Sequence, residues 1–169
     1  AKLVHISTDY VFDGTKGEPY NETDKPNPLQ VYGKSKLEGE TLIQETGVPG
    51  IIIRTSWLYG THGNNFVKTI LRLADEKDEI QVVDDQIGSP TYVGDLAEAI
   101  LELLSKHTFH HLELLHYSNE GGISWFEFAE CLIQNSKNEC KTYKISTNEL
   151  NQFAIRPSKS ELSLKKINE

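Results

Sequence analysis

The sequence predicts an α/β fold in which a parallel sheet is joined by crossover helices. Three observations carry this expectation. The short β-branched runs Leu3-Val4-His5-Ile6 and Gly50-Ile51-Ile52-Ile53 end abruptly in hydroxyl and charged residues, as buried parallel strands do when they deliver polar groups at their carboxyl ends. Amphipathic stretches of helical length alternate with such runs, which is the pattern that connections between parallel strands require. Clusters of Gly, Pro, Asn and Asp punctuate the alternation.

In chain order, residues 2–7 read as the first strand and 15–28 as a loop. Asn27-Pro28 leads into a helix that contains Tyr32, runs to about Glu45 and stops at Gly47. Residues 50–55 form a second buried strand. A helix over 65–74 places Phe66, Ile70 and Leu73 on one face, and 79–83 is a short strand. Tyr92 to Asp95 leads into a helix bearing Leu96, Ile100 and Leu103, and 112–117 is a strand. Ser124 caps a helix bearing Phe128, Ala129, Leu132 and Ile133. Residues 141–145 make one more strand, and 156–169 form a loop with a frayed helical end.

With 169 residues, 37% of them hydrophobic, the chain can bury one core. Its 17 Lys and Arg against 25 Asp and Glu leave a net charge of -8, which argues against a nucleic-acid partner. An anionic substrate would need a local basic pocket. No apolar run has the length of a membrane span and no targeting motif is visible, so no membrane partner is expected and the default compartment is cytoplasmic. Cys131 and Cys140 match no zinc spacing, and Cys131 reads as a small core residue of its helix. His107, His110, His111 and His116 cluster without ligand spacing and read as a surface loop entering a strand. No metal ligands are assigned.

Chemistry concentrates in Val31-Tyr32-Gly33-Lys34-Ser35-Lys36-Leu37-Glu38-Gly39-Glu40. Tyr32 and Lys36 are four apart at a helix start, so they share one face. A phenol is a poor acid-base catalyst near neutrality unless a neighbouring cation favours its ionised form, and Lys36 is placed to do so. Alone, such a pair reads first as a solvated surface pair. It gains meaning beside Ser7-Thr8-Asp9-Tyr10-Val11-Phe12-Asp13-Gly14, where the first strand ends.

Together these two stretches resemble the extended short-chain dehydrogenase/reductases and, within them, the dTDP-4-dehydrorhamnose reductase family. Further matches follow in order: Arg54-Thr55-Ser56-Trp57-Leu58-Tyr59-Gly60, Asn64-Asn65-Phe66-Val67, Asp85-Gln86-Ile87-Gly88-Ser89-Pro90-Thr91, Ser124-Trp125-Phe126-Glu127-Phe128-Ala129 and Arg156-Pro157. The resemblance implies a partial Rossmann-like sheet over residues 1–60 carrying the Thr/Tyr/Lys site. Residues 61–169 would be a mixed substrate-binding region whose strands and helices return to that sheet.

The implied reaction is hydride transfer from NADPH or NADH to the keto carbon of a dTDP-linked deoxysugar, with Mg2+ as an accessory candidate. Tyr32 would donate the proton, Lys36 would activate the phenol and hold the nicotinamide ribose, and Thr8 would hold the substrate oxygen. Ser7 and Thr55 join Tyr32 and Lys36 as cofactor contacts. Thr8, Asp9, Tyr10, Trp57, Asn65 and Arg156 are the substrate contacts, the Arg156 guanidinium suiting a diphosphate. Asp9 as a turn cap, Tyr10 and Trp57 as core or rim aromatics and Arg156 as a surface ion-pair partner are the structural alternatives. Gln86 and Thr91 flank a Gly-Ser-Pro turn that could meet the nucleotide or simply shape the loop.

No Gly-x-Gly-x-x-Gly run follows a strand here, although a dinucleotide-binding turn needs one for close approach of backbone amides to the pyrophosphate. The resemblance therefore implies a C-terminal portion of the family, inactive alone and with one strand edge unpaired; a homodimer is the expected assembly. Two other readings stand beside the reductase. One is a non-catalytic nucleotide-binding subunit resembling the regulatory subunit of methionine adenosyltransferase, and the other is a nucleotide-sugar epimerase or dehydratase.

Overall fold

The computed structural model describes residues 2–150 and 154–168. Its centre is a three-stranded parallel sheet in the order β1-β2-β7, built from β1 (Leu3–Thr8), β2 (Gly50–Thr55) and β7 (Leu112–His116). The register aligns Val4 with Ile51, Ile6 with Ile53 and Thr8 with Thr55. Because side chains alternate across a strand, these residues share one face. There Val4, Ile6, Ile51, Ile53 and Leu115 pack against Leu96, Ile100, Leu103 and Leu104 of α3 (Val93–Lys106). On the opposite face lie Ser7, Arg54 and His116, aligned in register, with α1 (Val31–Thr46) against them through Glu40. The outer edge of β1 has no strand partner among the described residues.

A second core forms around β4 (Glu79–Val83) and β9 (Lys141–Ile145), a parallel pair separate from the central sheet. Ile80 and Val82 pack there with Ile70 and Ala74 of α2 (Phe66–Glu76) and with Phe126, Ala129 and Ile133 of α4 (Trp125–Ser136). Two-residue strands stitch the cores together: β3 (Leu58–Tyr59) pairs β6 (Thr91–Tyr92), and β5 (Ile87–Gly88) pairs β8 (Ile123–Ser124).

Helix ends follow local chemistry. Gly47 ends α1 at φ 65°, a left-handed conformation that costs glycine nothing. Ser124 and Glu127 form a reciprocal capping box on α4. No helix is long and apolar enough to cross a membrane among the described residues.

Three expectations are corrected. Cys131 is exposed and Cys140 is the buried cysteine, because the inward stripe of α4 runs through Phe126, Ala129 and Ile133 and leaves position 131 outside. His116 is fully buried at the end of β7, its Nδ1 3.1 Å from the Tyr20 carbonyl, whereas His107, His110 and His111 are exposed. The C-terminal stretch pairs with strand edges at 159 and 162, and its end is one turn, the Asn168 amide donating to the Leu164 carbonyl at 3.3 Å, rather than a helix. Lys159 bridges to Ile87 and Leu162 to Tyr20; the strand edges offered there satisfy its backbone better than an isolated short helix could. The final residue of the expected frayed end, Glu169, lies outside the described residues.

Candidate active site

The carboxyl end of β1 turns at once into a 3₁₀ turn, Asp9–Val11, capped by Thr8, whose Oγ1 accepts from the Tyr10 amide at 3.2 Å. Against this turn rests the first turn of α1. Gly33 makes the contact possible: a Cβ there would stand 2.1 Å from the Tyr10 carbonyl oxygen and 3.0 Å from Pro28 Cβ. Tyr32 therefore lies beside Tyr10, edge to face, with ring centroids 6.1 Å apart. One turn later, Lys36 Nζ donates to the Ile6 carbonyl of β1 at 2.5 Å. Thr8, Asp9, Tyr10, Tyr32 and Lys36 thus gather at one strand end. Tyr32 is 52% exposed, and Thr8 and Asp9 are buried.

Thr8 Oγ1 donates to Asp9 Oδ1 at 3.1 Å. Burial pushes the Asp9 carboxyl up to about 7, against the neighbouring hydroxyls of Ser160 and Thr8, which favour its ionised form. Its Oδ2 has no partner among the described residues. Tyr10 is pushed up to about 12, by burial first and then by the charge of Asp9, while Arg156 acts in the opposite direction. That interaction brings Arg156 into the neighbourhood of Tyr10.

The remaining expected residues are dispersed. Ser7, one step before Thr8, faces the other side of the sheet and its Oγ donates to Glu40 Oε1; a cofactor contact from Ser7 would have to displace that bond. Thr55 aligns with Thr8 on β2, buried, with no partner for its hydroxyl among the described residues. Asn65 caps α2: its Oδ1 accepts from the Lys68 amide at 3.1 Å and its Nδ2 donates to the Gly60 carbonyl at 2.8 Å. Trp57 belongs to an aromatic cluster, stacked on Trp125 with centroids 3.4 Å apart and packed on Gly88. Gln86 donates to the Thr147 hydroxyl at 3.0 Å, and Thr91 is buried in β6.

Two features had no assigned role in the sequence. Ser160, buried on the C-terminal segment, is near enough to Asp9 to favour its ionised form, and nothing in its local pattern marks it. Glu40 and Arg54 form a buried ion pair, Arg54 Nη2 to Glu40 Oε2 at 2.6 Å with the two side chains 2% and 3% exposed. Here a signal existed: a lone Arg inside an apolar strand needs a buried anion.

A parallel sheet with Tyr-x-x-x-Lys on the helix beside its first strand end defines a Rossmann-like α/β domain of the short-chain dehydrogenase/reductase class. More narrowly, residues 1–169 match the family described as the RmlD substrate binding domain, and the chain belongs to it. It is 48% identical over 169 residues to the spore coat polysaccharide biosynthesis protein SpsK of Bacillus subtilis (strain 168), covering 100% of this chain and 58% of SpsK. Against the dTDP-4-dehydrorhamnose reductase of Aggregatibacter actinomycetemcomitans, identity is 43% over 174 residues, covering 98% of this chain and 59% of that enzyme. The crystal structure of dTDP-4-dehydrorhamnose reductase from Bacillus anthracis str. Ames in complex with NADP superposes with a TM-score of 0.94 at 45% identity, covering 99% of this chain and 59% of that one. The chain thus spans under two thirds of the length of these relatives.

Proposed function

We propose that this chain carries the proton-donating and substrate-side part of a dTDP-4-dehydrorhamnose reductase. The reaction is reduction of dTDP-4-dehydro-6-deoxy-L-mannose to dTDP-L-rhamnose, in rhamnose and cell-surface polysaccharide biosynthesis. The observation that carries this reading is the convergence of Tyr32, Lys36 and Thr8 on the end of β1, with the phenol exposed.

The residues present fit the nicotinamide end of a dinucleotide. Lys36 offers an ammonium at the strand end and Thr55 a buried hydroxyl that lacks a partner among the described residues. The pyrophosphate end finds no glycine-rich turn in this sequence. When bound, a reduced nicotinamide supplies the hydride. Tyr32 donates a proton to the alkoxide oxygen that develops at the keto carbon. Lys36 stabilises the phenolate left behind. Thr8, whose hydroxyl proton is directed to Asp9, exchanges that bond to donate to the substrate oxygen. Arg156, near Tyr10, suits the diphosphate of the sugar nucleotide.

The test is NADPH oxidation with the keto sugar, in a protein of the relatives' full length that contains this chain. Tyr32→Phe should cut turnover by about 10²–10⁴-fold while cofactor affinity changes far less. Near-normal turnover in that variant sinks the assignment. Calorimetric titration of NADPH into the 169-residue chain alone should show no binding; tight binding would require a different pyrophosphate cradle.

A further inference from the structure

Glu40 stands four residues after Lys36 on α1, the spacing at which a carboxylate and an ammonium on one helix meet. Yet Lys36 makes no salt bridge among the described residues, and the partner Glu40 has there is Arg54. The carboxylate is saturated from the sheet side. Arg54 Nε donates to its two oxygens at 2.9 and 3.2 Å, Arg54 Nη2 to Oε2 at 2.6 Å, and Ser7 Oγ to Oε1. Phe12 lies over the guanidinium, 5.1 Å from ring centroid to Cζ, and shields the pair from water.

We propose that Arg54 is a positioning residue whose grip on Glu40 leaves the Lys36 ammonium at the strand end, on the Ile6 carbonyl. The inference rests on the reading of Tyr32 and Lys36 as the acid pair. A buried carboxylate cannot be left without a partner. Once Arg54 is removed, the nearest cation along α1 is Lys36, and its capture by Glu40 would neutralise the charge that the phenol and the ribose need.

The other charged and titratable groups around this carboxylate do not replace Arg54. His5 of β1, which feels both Lys36 and Glu40, is held below its usual range by burial first and then by Lys36. His116 of β7 is pushed down to about 3, by burial first and then by Arg54, and so stays neutral. Asp24 adds only another negative charge near His116.

Reductive methylation of Lys36, followed by peptide mass spectrometry, tests this on the chain itself with no cofactor or substrate. Lys34, exposed on the same helix, is the internal reference. Arg54→Gln should slow Lys36 labelling relative to Lys34 by about fivefold, the effect of one partly buried ion pair. Glu40→Gln/Arg54→Gln should restore the ratio to within about twofold of the parent chain, because the rival carboxylate is gone. An unchanged ratio in Arg54→Gln, or a double variant as slow as the single one, overturns the proposal. If Arg54→Gln does not fold, Glu40→Gln alone must also leave the ratio near the parent, and a fivefold fall there overturns it equally. General loosening of the helix would speed both lysines and would not be reversed by the second substitution. Failure of the reductase reading would appear only in the turnover of Tyr32→Phe, so the two outcomes are separable.

Discussion

Gly33→Ala sets helix propensity against tertiary packing. In an exposed helix interior this change stabilises by about 1 kcal/mol. At Gly33 the added Cβ would stand 2.1 Å from the Tyr10 carbonyl oxygen, where a carbon-oxygen contact needs about 3.3 Å. Helix and 3₁₀ turn must therefore separate by roughly 1 Å, a rigid backbone displacement at the upper end of the ~1–3 kcal/mol cost of overpacking. The expected net loss is about 2 kcal/mol, or roughly 4–8 °C in melting temperature for a chain of this size. Gly39→Ala on the same helix is the control: its nearest contact is His5 Nε2 at 4.0 Å, so that variant should gain about 0.5–1 kcal/mol. Chemical denaturation of the two variants decides the matter. Gly33→Ala as stable as the parent would mean that α1 does not rest on the 3₁₀ turn, and the juxtaposition of Tyr32 with Tyr10 would fall with it.

Burial at Asp9 and the stacking of the two tryptophans set two further outcomes. A buried carboxyl pushed up to about 7 keeps a proton in the folded state that the unfolded chain has lost, so Asp9 lowers stability progressively as pH rises from about 4 to about 7. Asp9→Asn should therefore gain on the parent across that window by roughly 2–4 kcal/mol and level off above it; a pH-independent difference in denaturation midpoint would refute the burial of an ionisable Asp9. Trp57 and Trp125, the two tryptophans of the chain, stack with planes 5° apart and should give an exciton couplet in circular dichroism that Trp57→Phe abolishes. A couplet surviving in that variant would exclude the stack.

Elements with strong local signals were legible in the sequence. The strands at 50–55, 79–83 and 141–145 have the bounds expected from their runs. The stop at Gly47 and the cap at Ser124 lie where the chemistry of helix ends puts them. The two-residue strands at 58–59, 87–88, 91–92 and 123–124 were not legible, since pairs that short have no periodicity and exist through partners far along the chain. Separation of β4 and β9 from the central sheet is likewise a tertiary choice. At the site, Tyr32, Lys36, Thr8, Asp9 and Tyr10 share a neighbourhood because strand end and helix start are local features. Asn65 reads in the sequence through its family motif, as a substrate contact, whereas in the structure its side chain is engaged in the cap of α2.

Ser7 and Thr8 show how the pleat divides labour at one strand end. The two hydroxyls are neighbours in sequence, and sequence alone treats them as one polar cluster. A period of two sends them to opposite faces: Thr8 aligns with Thr55 beyond the α3 core, while Ser7 aligns with Arg54 and meets Glu40 under α1. Successive turns of α1 hold the strand here, Lys36 donating to the Ile6 carbonyl and Glu40 accepting from the Ser7 hydroxyl. A shift of α1 along β1 must therefore break a hydrogen bond to Lys36 and unpair a buried carboxylate together. The cost of leaving that carboxylate unpaired is several kcal/mol, far above the ~1 kcal/mol of an ordinary hydrogen bond. The buried ion pair, rather than the lysine contact, sets how firmly the phenol is held beside the strand end.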